Sequence, residues 1–550
     1  MYFRRKSSAG RVYLQIVESR RQGDQVRQQV IATLGRYDEL RDSGQLDRLL
    51  RSGARFAAQA MILDAVRGGA ANVVAVRRIG PALVFERLWQ QTGCRNVIQT
   101  LARERKHAFA LERAVFLTVL HRLFGGGSDR AADRWQQDYR IDGVEELALH
   151  QLYRAMAWLG EELPPKDQDG RTPFAPRCIK DVVEERLFAA RRDLFSGLDL
   201  VFMDTTSLYF EGSGGQTLGR HGYSKDHRPD LRQMILAVVL DGEGQPVCSE
   251  MWPGNTADVT SLLPVIERLR RRFAIGGVCV VADRGMISSD TLAALEAAGL
   301  RYILGARERT DTAVRDVVLA DTAPFVPLTM AKRGGETDYG AKAVTFAAQR
   351  YIVCRNDQQA RKDAADRAAI LGALERQLKN GDKALVGNAA YRRFLKTEGG
   401  RHFTIDRAKA EEDAKFDGIF VLRTNLELNP LHVMLRYKQL WMVEQSFRNA
   451  KHLFATRPIF HKLDETIRGH VFCSFLALVL KKALEDRIAT LGRTGCWSEI
   501  IADLDSLSET EIAQDGKYIV VRATPRPAAT LALQAAGVAL PPTVRQRPND

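Results

Sequence analysis

The chain has 550 residues and a net charge of +14, from 81 Lys and Arg against 67 Asp and Glu. Its 45% hydrophobic content excludes a wholly disordered chain, and the length predicts three or four domains of roughly 150 residues each. The positive charge favours a polyanionic partner, with a basic enzyme acting on small substrates as the alternative. No apolar run reaches the roughly 18 residues of a membrane span, and seven scattered cysteines without a C-x-x-C pair favour a reducing cytoplasm.

The first domain, residues 1–55, is predicted to open with a basic β-hairpin. Residues 1–36 hold eight basic and two acidic side chains, a net charge of +6. Arg11–Ser19 and Gln25–Leu34 interleave Val, Ile and Tyr with polar residues, and Gln22-Gly23-Asp24 is a turn signal between them. The charge suits contact with a DNA backbone, but arginines that protect a sheet edge from aggregation would give the same pattern.

Residues 56–195 have apolar residues at the three-to-four spacing of a helical domain. The clearest helices are predicted at Pro81–Gln91, Ala110–Phe124, Leu147–Glu162 and Ile179–Phe195. The triplet Gly125-Gly126-Gly127 ends the second of these, and Ser128 and Asp129 are typical N-terminal caps of the next helix. Two helices around a glycine turn resemble a DNA-reading arrangement, and they equally suit an ordinary helical bundle.

From residue 196 onward the pattern indicates a mixed α/β layer. Strands are predicted at Leu198–Leu208, Gln233–Leu240, Pro246–Trp252, Val278–Ala282 and Leu300–Ala306, with helices from Asp258 to about Arg271 and over Ser288–Ala298. Residues 311–424 form a predicted insertion, with strand-like Lys342–Cys354 and Phe416–Thr424 and helical Gln358–Leu378. Long helices are predicted over Leu431–Phe454 and Glu465–Arg487, and in the last region, 496–550, the Pro-rich tail beyond Arg522 is expected to be poorly ordered.

Two aspartates directly follow apolar runs of predicted strands, and the second of them stands at a strand end. Asp204 follows the apolar run Leu200–Met203, and Asp283 directly follows Val278–Ala282. Ligands of α/β sheets gather at the carboxyl ends of strands. A buried carboxylate needs a partner charge, and a divalent cation between neighbouring strands would serve both, although each aspartate alone is equally typical of a cap or a salt bridge.

A third acid, Glu444, lies on the helix predicted over Leu431–Phe454. At 100° per residue, one face of that helix carries four residues within an arc of about 60°: Tyr437, Glu444, Arg448 and Lys451. Taken alone, Glu444 and Arg448 indicate an ordinary i,i+4 ion pair on a solvated face. Three carboxylates together suit phosphodiester cleavage, in which two Mg²⁺ ions bound by hard oxygen ligands activate the attacking oxygen and stabilise the leaving one.

This constellation resembles the DDE transposases of bacterial insertion sequences, and in particular the cut-and-paste group with a Y-x2-R-x3-E-x6-K signature. The signature here consists of Tyr437, Leu440, Glu444 and Lys451, with Leu in the position of the Arg. Four more blocks carry the resemblance: Val201–Phe210, His221–Arg228, Gly254–Asp258 and Ala282–Gly285.

The resemblance implies a ribonuclease-H-like α/β core, residues 196–310 and 425–495, interrupted by the insertion 311–424 and preceded by a helical domain that binds DNA ends. In it, Asp204, Asp283 and Glu444 would hold two Mg²⁺ ions, with Mn²⁺ as a substitute. The enzyme would cleave double-stranded DNA at the terminal inverted repeats of a mobile element and join the 3′-hydroxyl ends to target DNA. A homodimer would act on paired ends in the bacterial cytoplasm, associated with the nucleoid when bound.

DNA contacts are expected from two places near these acids. The resemblance puts Tyr437 and Lys451 near the transferred end, and Arg448, on the face of Glu444, is our hypothesis for the missing signature Arg. The cationic loop 219–230 adds three expected contacts, Arg220, Lys225 and Arg228, although a solvated turn is the alternative there.

Two absences limit what the resemblance implies. Gly212–Gly215 lacks the G-K-[ST] ending of a phosphate-binding loop, so no nucleotide cofactor is expected. Relatives stack a flipped base on a Trp of the insertion, but residues 311–424 contain no Trp, so a DNA-hairpin intermediate is not implied. A nuclease without strand transfer and a DNA-binding derivative without catalysis remain the alternatives.

Overall fold

A computed structural model describes the fold of most of the chain. The described residues are 2–8, 10–22, 25–46, 49, 71–172, 175–191, 200–273, 279–283, 288–306, 311–332, 335–378, 392–398, 402–453, 455–514 and 517–546. Several predicted features lie wholly or partly outside them: the hairpin tip at 23–24, the start of the helical domain at 56–70, residues 192–195 of its last helix, the strand starts at 198–199 and 278, 284–285 after the second aspartate, and the helix end at 454.

The described chain contains both strands and helices. The strands are β1 (Tyr2–Ser8), β2 (Arg11–Gln22), β3 (Gln25–Arg36), β4 (Ala71–Arg78), β5 (Leu200–Tyr209), β6 (Gln233–Asp241), β7 (Pro246–Pro253), β8 (Cys279–Ala282), β9 (Arg301–Gly305), β10 (Val326–Lys332), β11 (Gly335–Phe346), β12 (Gln349–Asn356), β13 (Leu395–Glu398), β14 (His402–Ile405), β15 (Ile419–Thr424), β16 (Ser508–Gln514), β17 (Lys517–Arg522) and β18 (Val544–Gln546). The α-helices are α1 (Tyr37–Asp42), α2 (Gly80–Gln91), α3 (Cys94–Ala102), α4 (Leu111–Phe124), α5 (Asp129–Trp135), α6 (Leu149–Gly160), α7 (Ile179–Arg191), α8 (Asp258–Phe273), α9 (Ser289–Ala297), α10 (Asp357–Leu378), α11 (Arg407–Ala414), α12 (Pro430–Lys438), α13 (Trp441–Arg448), α14 (Asp464–Thr490), α15 (Trp497–Ser506) and α16 (Pro527–Ala536).

The chain divides into two compact units. One comprises Met1–Ile79, Ser506–Arg526 and Leu540–Asp550, and the other comprises Gly80–Asp505 and Pro527–Ala539. The first unit therefore takes its residues from both ends of the chain.

The first unit contains two antiparallel sheets. The predicted hairpin forms as β2 and β3, and β1 adds a third strand on the other side of β2. The second sheet has the order β18-β17-β16-β4, so β16 pairs with β17 on one side and with β4 on the other. Strands from the two ends of the sequence thus complete one sheet.

The second unit is built on a nine-stranded sheet with the order β10-β11-β12-β15-β9-β8-β5-β6-β7. Strands β7, β6 and β5 are antiparallel neighbours, whereas β5, β8 and β9 run parallel. Three antiparallel strands continued by two parallel ones are the ribonuclease-H-like arrangement, which confirms the predicted mixed α/β core.

The predicted insertion does not form a separate layer. Its strands β10, β11, β12 and β15 extend the core sheet beyond β9, while β13 and β14 form a small hairpin that packs with α10 and α11. The strand-like stretch Lys342–Cys354 belongs to two strands, because Ala347 and Ala348 turn the chain between β11 and β12 with φ values of 48° and 61°. A two-residue turn with two positive φ angles normally carries Gly or Asn, so this alanine pair gives no turn signal.

One face of the core sheet is covered by helices that follow the strands in sequence. Met203, Val239 and Val280 point into an apolar cluster with Leu262 of α8 and Leu295 of α9. Because side chains alternate along a strand, Asp204 points to the opposite face from Met203.

The helices of the second unit pack unusually closely at one crossing. A Cβ atom on Gly469 of α14 would lie 1.9 Å from the carbonyl oxygen of Met156, and one on Gly160 would lie 2.0 Å from that of Glu465. Helix α6 therefore lies backbone against backbone on α14, the longest described helix. No helix among the described residues combines the length and apolar character needed to span a membrane.

The tail contains regular structure where little is expected. Helix α16 buries Ala529, Ala532, Leu533 and Ala536, which recur at helical spacing behind Pro527 at its first position. The prediction of a poorly ordered tail is therefore wrong for this segment, because four apolar contacts outweigh its proline content.

Candidate active site

Asp204, in the middle of β5, and Asp283, directly after β8, lie on adjacent strands. Met203 of β5 is the register partner of Ala282 of β8 in a parallel pair, and Asp204 and Asp283 are the next residues on the two chains. Neighbouring strands are about 4.8 Å apart, so the two carboxylates start from adjacent backbone positions on one face. Both residues are half-buried, and Asp204 accepts a 2.7 Å hydrogen bond from the backbone N–H of Thr205.

Tyr437 is directed at the second aspartate. Its phenol donates a 2.9 Å hydrogen bond to Oδ1 of Asp283. The ring also stacks on Phe420 of β15, with centroids 6.2 Å apart. The first residue of the signature therefore orients a carboxylate in this structure.

The continuous helix predicted over Leu431–Phe454 is wrong. Helix α12 ends at Lys438, α13 begins at Trp441, and Asn449–Leu453 is a π-helical turn. The backbone N–H of Leu440 bonds to the carbonyl of Tyr437, a tighter i→i−3 bond, and Leu440 is only 7% exposed. Periodicity cannot detect this break, because residues on both sides keep helical spacing. Tyr437, Glu444 and Lys451 consequently do not share one straight helix face.

Glu444 is exposed on α13, which packs against β5 and β6 through buried Val443 and Phe447. These two side chains lie outside the apolar cluster on the α8 and α9 side, so α13 covers the face to which Asp204 points.

Asp204, Asp283 and Glu444 are not all within 4.8 Å of one another. Among the described residues, the group of His, Cys, Asp and Glu that meets this limit is Asp129, His461 and His470.

That histidine cluster is a buried ionic network. Arg122, fully buried, places Nη2 at 2.7 Å from Nδ1 of His470 and at 3.9 Å from Oδ2 of Asp129. Burial alone would raise the pKa of Asp129, but its interactions with His461 and Arg122 lower it to about 2. Arg122 thus supplies the positive charge that a metal ion would otherwise bring.

The cationic loop 219–230 is anchored to β5. The backbone N–H of Lys225 donates to Oγ of Ser207, and its Nζ donates to the carbonyl and the hydroxyl of Thr205, at 2.8 and 2.7 Å. The ammonium group of Lys225 is thereby held at the residue that follows Asp204.

The other expected DNA contacts differ in exposure. Arg220, Arg228 and Arg448 are exposed, and Arg228 pairs with Asp230 on the surface. Tyr223, on the same loop, is 83% exposed, an uncommon position for a large aromatic ring.

Lys451 is instead largely buried. Its side chain is 10% exposed, and its Nζ donates a 2.7 Å hydrogen bond to Oδ1 of Asp226. Arg457 pairs with the other oxygen of the same carboxylate at 2.5 Å. Burial lowers the pKa of Lys451, and Asp226 partly opposes that shift. Sequence reasoning missed Asp226 and Arg457; the only signal was that Asp226 lies inside the block His221–Arg228.

These features define a ribonuclease-H-like domain with an acidic site where the parallel pairing of β5 and β8 ends. Residues 196–480, more than half of the 550-residue chain, match the family model described as the transposase DDE domain. The chain therefore belongs to the DDE transposases. Residues 2–66 match the N-terminal domain of the IS1634 family of transposases.

Other comparisons add little. Among solved structures, the chain is similar to the piggyBac transposase synaptic complex with hairpin DNA, at 9% identity and a TM-score of 0.34, over 77% of this chain and 76% of that chain. No curated protein matches the sequence. The family assignment therefore rests on the two family-model matches.

Proposed function

We propose that this transposase cleaves DNA at the terminal inverted repeats of its mobile element and joins the freed 3′-hydroxyl ends to target DNA. The observation that carries the proposal is that Asp204 and Asp283 directly follow Met203 and Ala282, the last register pair of adjacent parallel strands. Both lie within the region that matches the DDE domain.

The donor set fits divalent metal ions. Two carboxylates at neighbouring strand positions repel each other unless a cation lies between them, and carboxylate oxygens are ligands that Mg²⁺ prefers. The hydrogen bond that Asp283 accepts comes from the neutral phenol of Tyr437, which orients the carboxylate without neutralising it. We therefore assign Asp204, Asp283 and Glu444 as ligands of two Mg²⁺ ions, with Mn²⁺ as a substitute. When bound, the ions supply activation of the attacking oxygen and stabilisation of the leaving one.

We assign the remaining residues to DNA binding. The exposed guanidinium groups of Arg220, Arg228 and Arg448 suit phosphate contacts, and Lys225 is bonded to Thr205, the residue after Asp204. The exposed ring of Tyr223 offers a stacking surface for a base. The basic β1–β3 sheet and the helices of residues 80–191 are assigned to the element ends, on which two copies of the chain act together.

One experiment separates the proposal from its rivals. The full-length protein is incubated with Mg²⁺, labelled element ends and a supercoiled target. Nicked ends with joined products support transposition. Nicking without joining indicates a nuclease, and binding without nicking indicates a derivative that has lost catalysis. An Asp204→Ala protein, run in parallel, identifies any contaminating nuclease.

A further inference from the structure

Asp226 occupies a position that the proposed chemistry does not yet use. Its carboxylate is 7% exposed and holds two cations, Lys451 at 2.7 Å and Arg457 at 2.5 Å, which are 10% and 15% exposed. An ion pair this sheltered is weakly screened by salt, and loss of its carboxylate would leave two cations close together without an anion.

The segment that carries Asp226 is fixed to the strand of Asp204. Lys225, the residue before Asp226, is bound to Thr205 and Ser207 of β5 through three hydrogen bonds of 2.7 to 3.0 Å. The backbone N–H of Arg228, two residues after Asp226, donates to Oγ of Ser224 and closes the turn.

The two cations belong to the segment that follows Glu444. Lys451 lies in the π-helical turn that directly continues α13, the helix of Glu444. Arg457 lies two residues before Ile459, whose backbone N–H bonds to the carbonyl of Tyr209 at the end of β5. Asp226 therefore links β5, the strand of Asp204, to the segment that follows Glu444.

We propose that Asp226 is a positioning residue, which fixes the helix of Glu444 relative to the strand of Asp204 through Lys451 and Arg457. The inference rests on the proposed function, because it assumes that Glu444 completes the metal site. It matters because Glu444 is exposed and the three acids are not all within 4.8 Å of one another, so the third ligand depends on where its helix lies.

This role assigns Lys451 a different task from the DNA contact that the signature implies. With Nζ bonded to a carboxylate and a side chain 10% exposed, Lys451 would have to break the Asp226 pair before it could reach a phosphate. Its positive charge is used inside the protein, and exposed Arg448 is left as the cation of α13 that faces DNA.

The test measures Mn²⁺ binding as well as cleavage. Binding of Mn²⁺ alone is followed by electron paramagnetic resonance for the full-length wild type, for Asp226→Asn and for Asp226→Glu, with Glu444→Gln as the reference for a lost ligand. Since partners of metal ligands typically contribute 10- to 100-fold in metal affinity, Asp226→Asn is expected to weaken Mn²⁺ binding by roughly tenfold or more. Asp226→Glu, which keeps the charge, is expected to recover much of that loss.

Two controls isolate the mechanism. Asp230→Asn removes a carboxylate from the same loop whose ion pair with Arg228 is solvent-exposed, and it is expected to leave Mn²⁺ affinity within about twofold. In the double variant Asp226→Asn, Lys451→Gln, the loss is expected to be no larger than in Asp226→Asn alone, because both substitutions break one link. Thermal unfolding of each variant checks that the fold is retained.

The outcomes distinguish this inference from the proposed function. If Asp226→Asn binds Mn²⁺ and cleaves DNA like the wild type, Asp226 has no positioning role and the proposed function stands. If it binds DNA more tightly with unchanged Mn²⁺ affinity, Asp226 competes with phosphate and the positioning role is also overturned. If the wild type binds Mn²⁺ but cleaves no element end, the proposed function fails, while the ratio of the Mn²⁺ affinities still decides the role of Asp226.

Discussion

At the scale of single residues, each of the paired aspartates depends on a different neighbour. Asp204 is oriented by the backbone N–H of the next residue, whereas Asp283 is oriented by a phenol 154 positions further along the chain. The first interaction survives every substitution of Thr205 except proline, which has no backbone N–H, but the second is lost with one hydroxyl group. The two ligands are therefore not equally sensitive to mutation.

Alanine at any of Asp204, Asp283 or Glu444 is expected to abolish DNA cleavage while leaving end binding largely intact. Removal of a metal ligand should reduce the rate by more than about 100-fold, since even partners of ligands contribute 10- to 100-fold. Nicking of labelled element ends and their gel-shift affinity measure the two effects. An alanine variant that cleaves normally would remove that residue from the site.

Tyr437→Phe isolates the hydrogen bond to Asp283. The ring keeps its stacking on Phe420, while the hydrogen bond that orients Asp283 is lost. Cleavage is expected to fall by roughly tenfold, with the larger loss at low Mg²⁺, because a misoriented ligand weakens metal binding. A titration of Mg²⁺ in the nicking assay shows this, and an equal loss at every Mg²⁺ concentration would contradict it.

At the scale of elements, most helices and strands follow from the sequence, because their patterns are local. Strands β5, β6 and β7 and helices α2, α4 and α14 form within a few residues of the predicted ends. The break between α12 and α13 could not be predicted from the sequence, because Leu440 suits a helix interior as well as the buried bend. The ion pairs of Asp226 could not be predicted either, since its partners are 225 and 231 positions away in the sequence.

The bend at Leu440 determines which residue can replace the missing signature Arg. Arg448→Ala is expected to reduce cleavage and joining by about 10- to 100-fold, the range for loss of a charged hydrogen bond, if Arg448 contacts phosphate. Adding Leu440→Arg should not restore activity, since position 440 is 7% exposed and a guanidinium there would be buried without a partner. Both variants are compared in the strand-transfer assay. Full activity of Arg448→Ala would contradict the hypothesis that Arg448 takes the place of the signature Arg.

The helices around α4 should give the protein a measurable acid sensitivity. Burial, helped by the charge of Arg122, lowers the pKa of His121 from 6.5 to about 4. Between these values the unfolded chain binds a proton that the folded one does not, so stability falls as the pH drops from 6.5 towards 4, by about 3 kcal/mol.

Chemical denaturation at pH 7 and pH 4.5 measures this loss. His121→Phe keeps a ring against Trp135 but cannot titrate, so its loss of stability over this range should be smaller than that of the wild type. The exposed His150 provides the matched control: His150→Gln should lose as much as the wild type. Equal losses in all three proteins would show that His121 does not carry the effect.

At the scale of the whole molecule, long-range pairing is what the sequence alone does not supply. The insertion 311–424 is recognisable as additional sequence, but nothing local indicates that β10, β11, β12 and β15 join the core sheet. In the same way, the basic hairpin is predicted from its alternation, whereas the sheet that joins β4 to β16 depends on residues more than 400 positions apart. Both cases involve partners that periodicity cannot identify.

The sheet shared by the two ends makes a specific prediction. Thr510 lies in β16 between register partners Val76 of β4 and Val521 of β17, so a proline there removes a ladder N–H from a central strand. Thr510→Pro is expected to destabilise the sheet by about 3 kcal/mol or more and to speed hydrogen exchange in β4, although β4 itself is unchanged. Val544→Pro on edge strand β18 has no contact with β4 in the ladder and should leave its protection intact. Faster exchange confined to β16 and β17 would show instead that β4 holds its structure without the C-terminal strands, and the N-terminal segment could then be studied on its own.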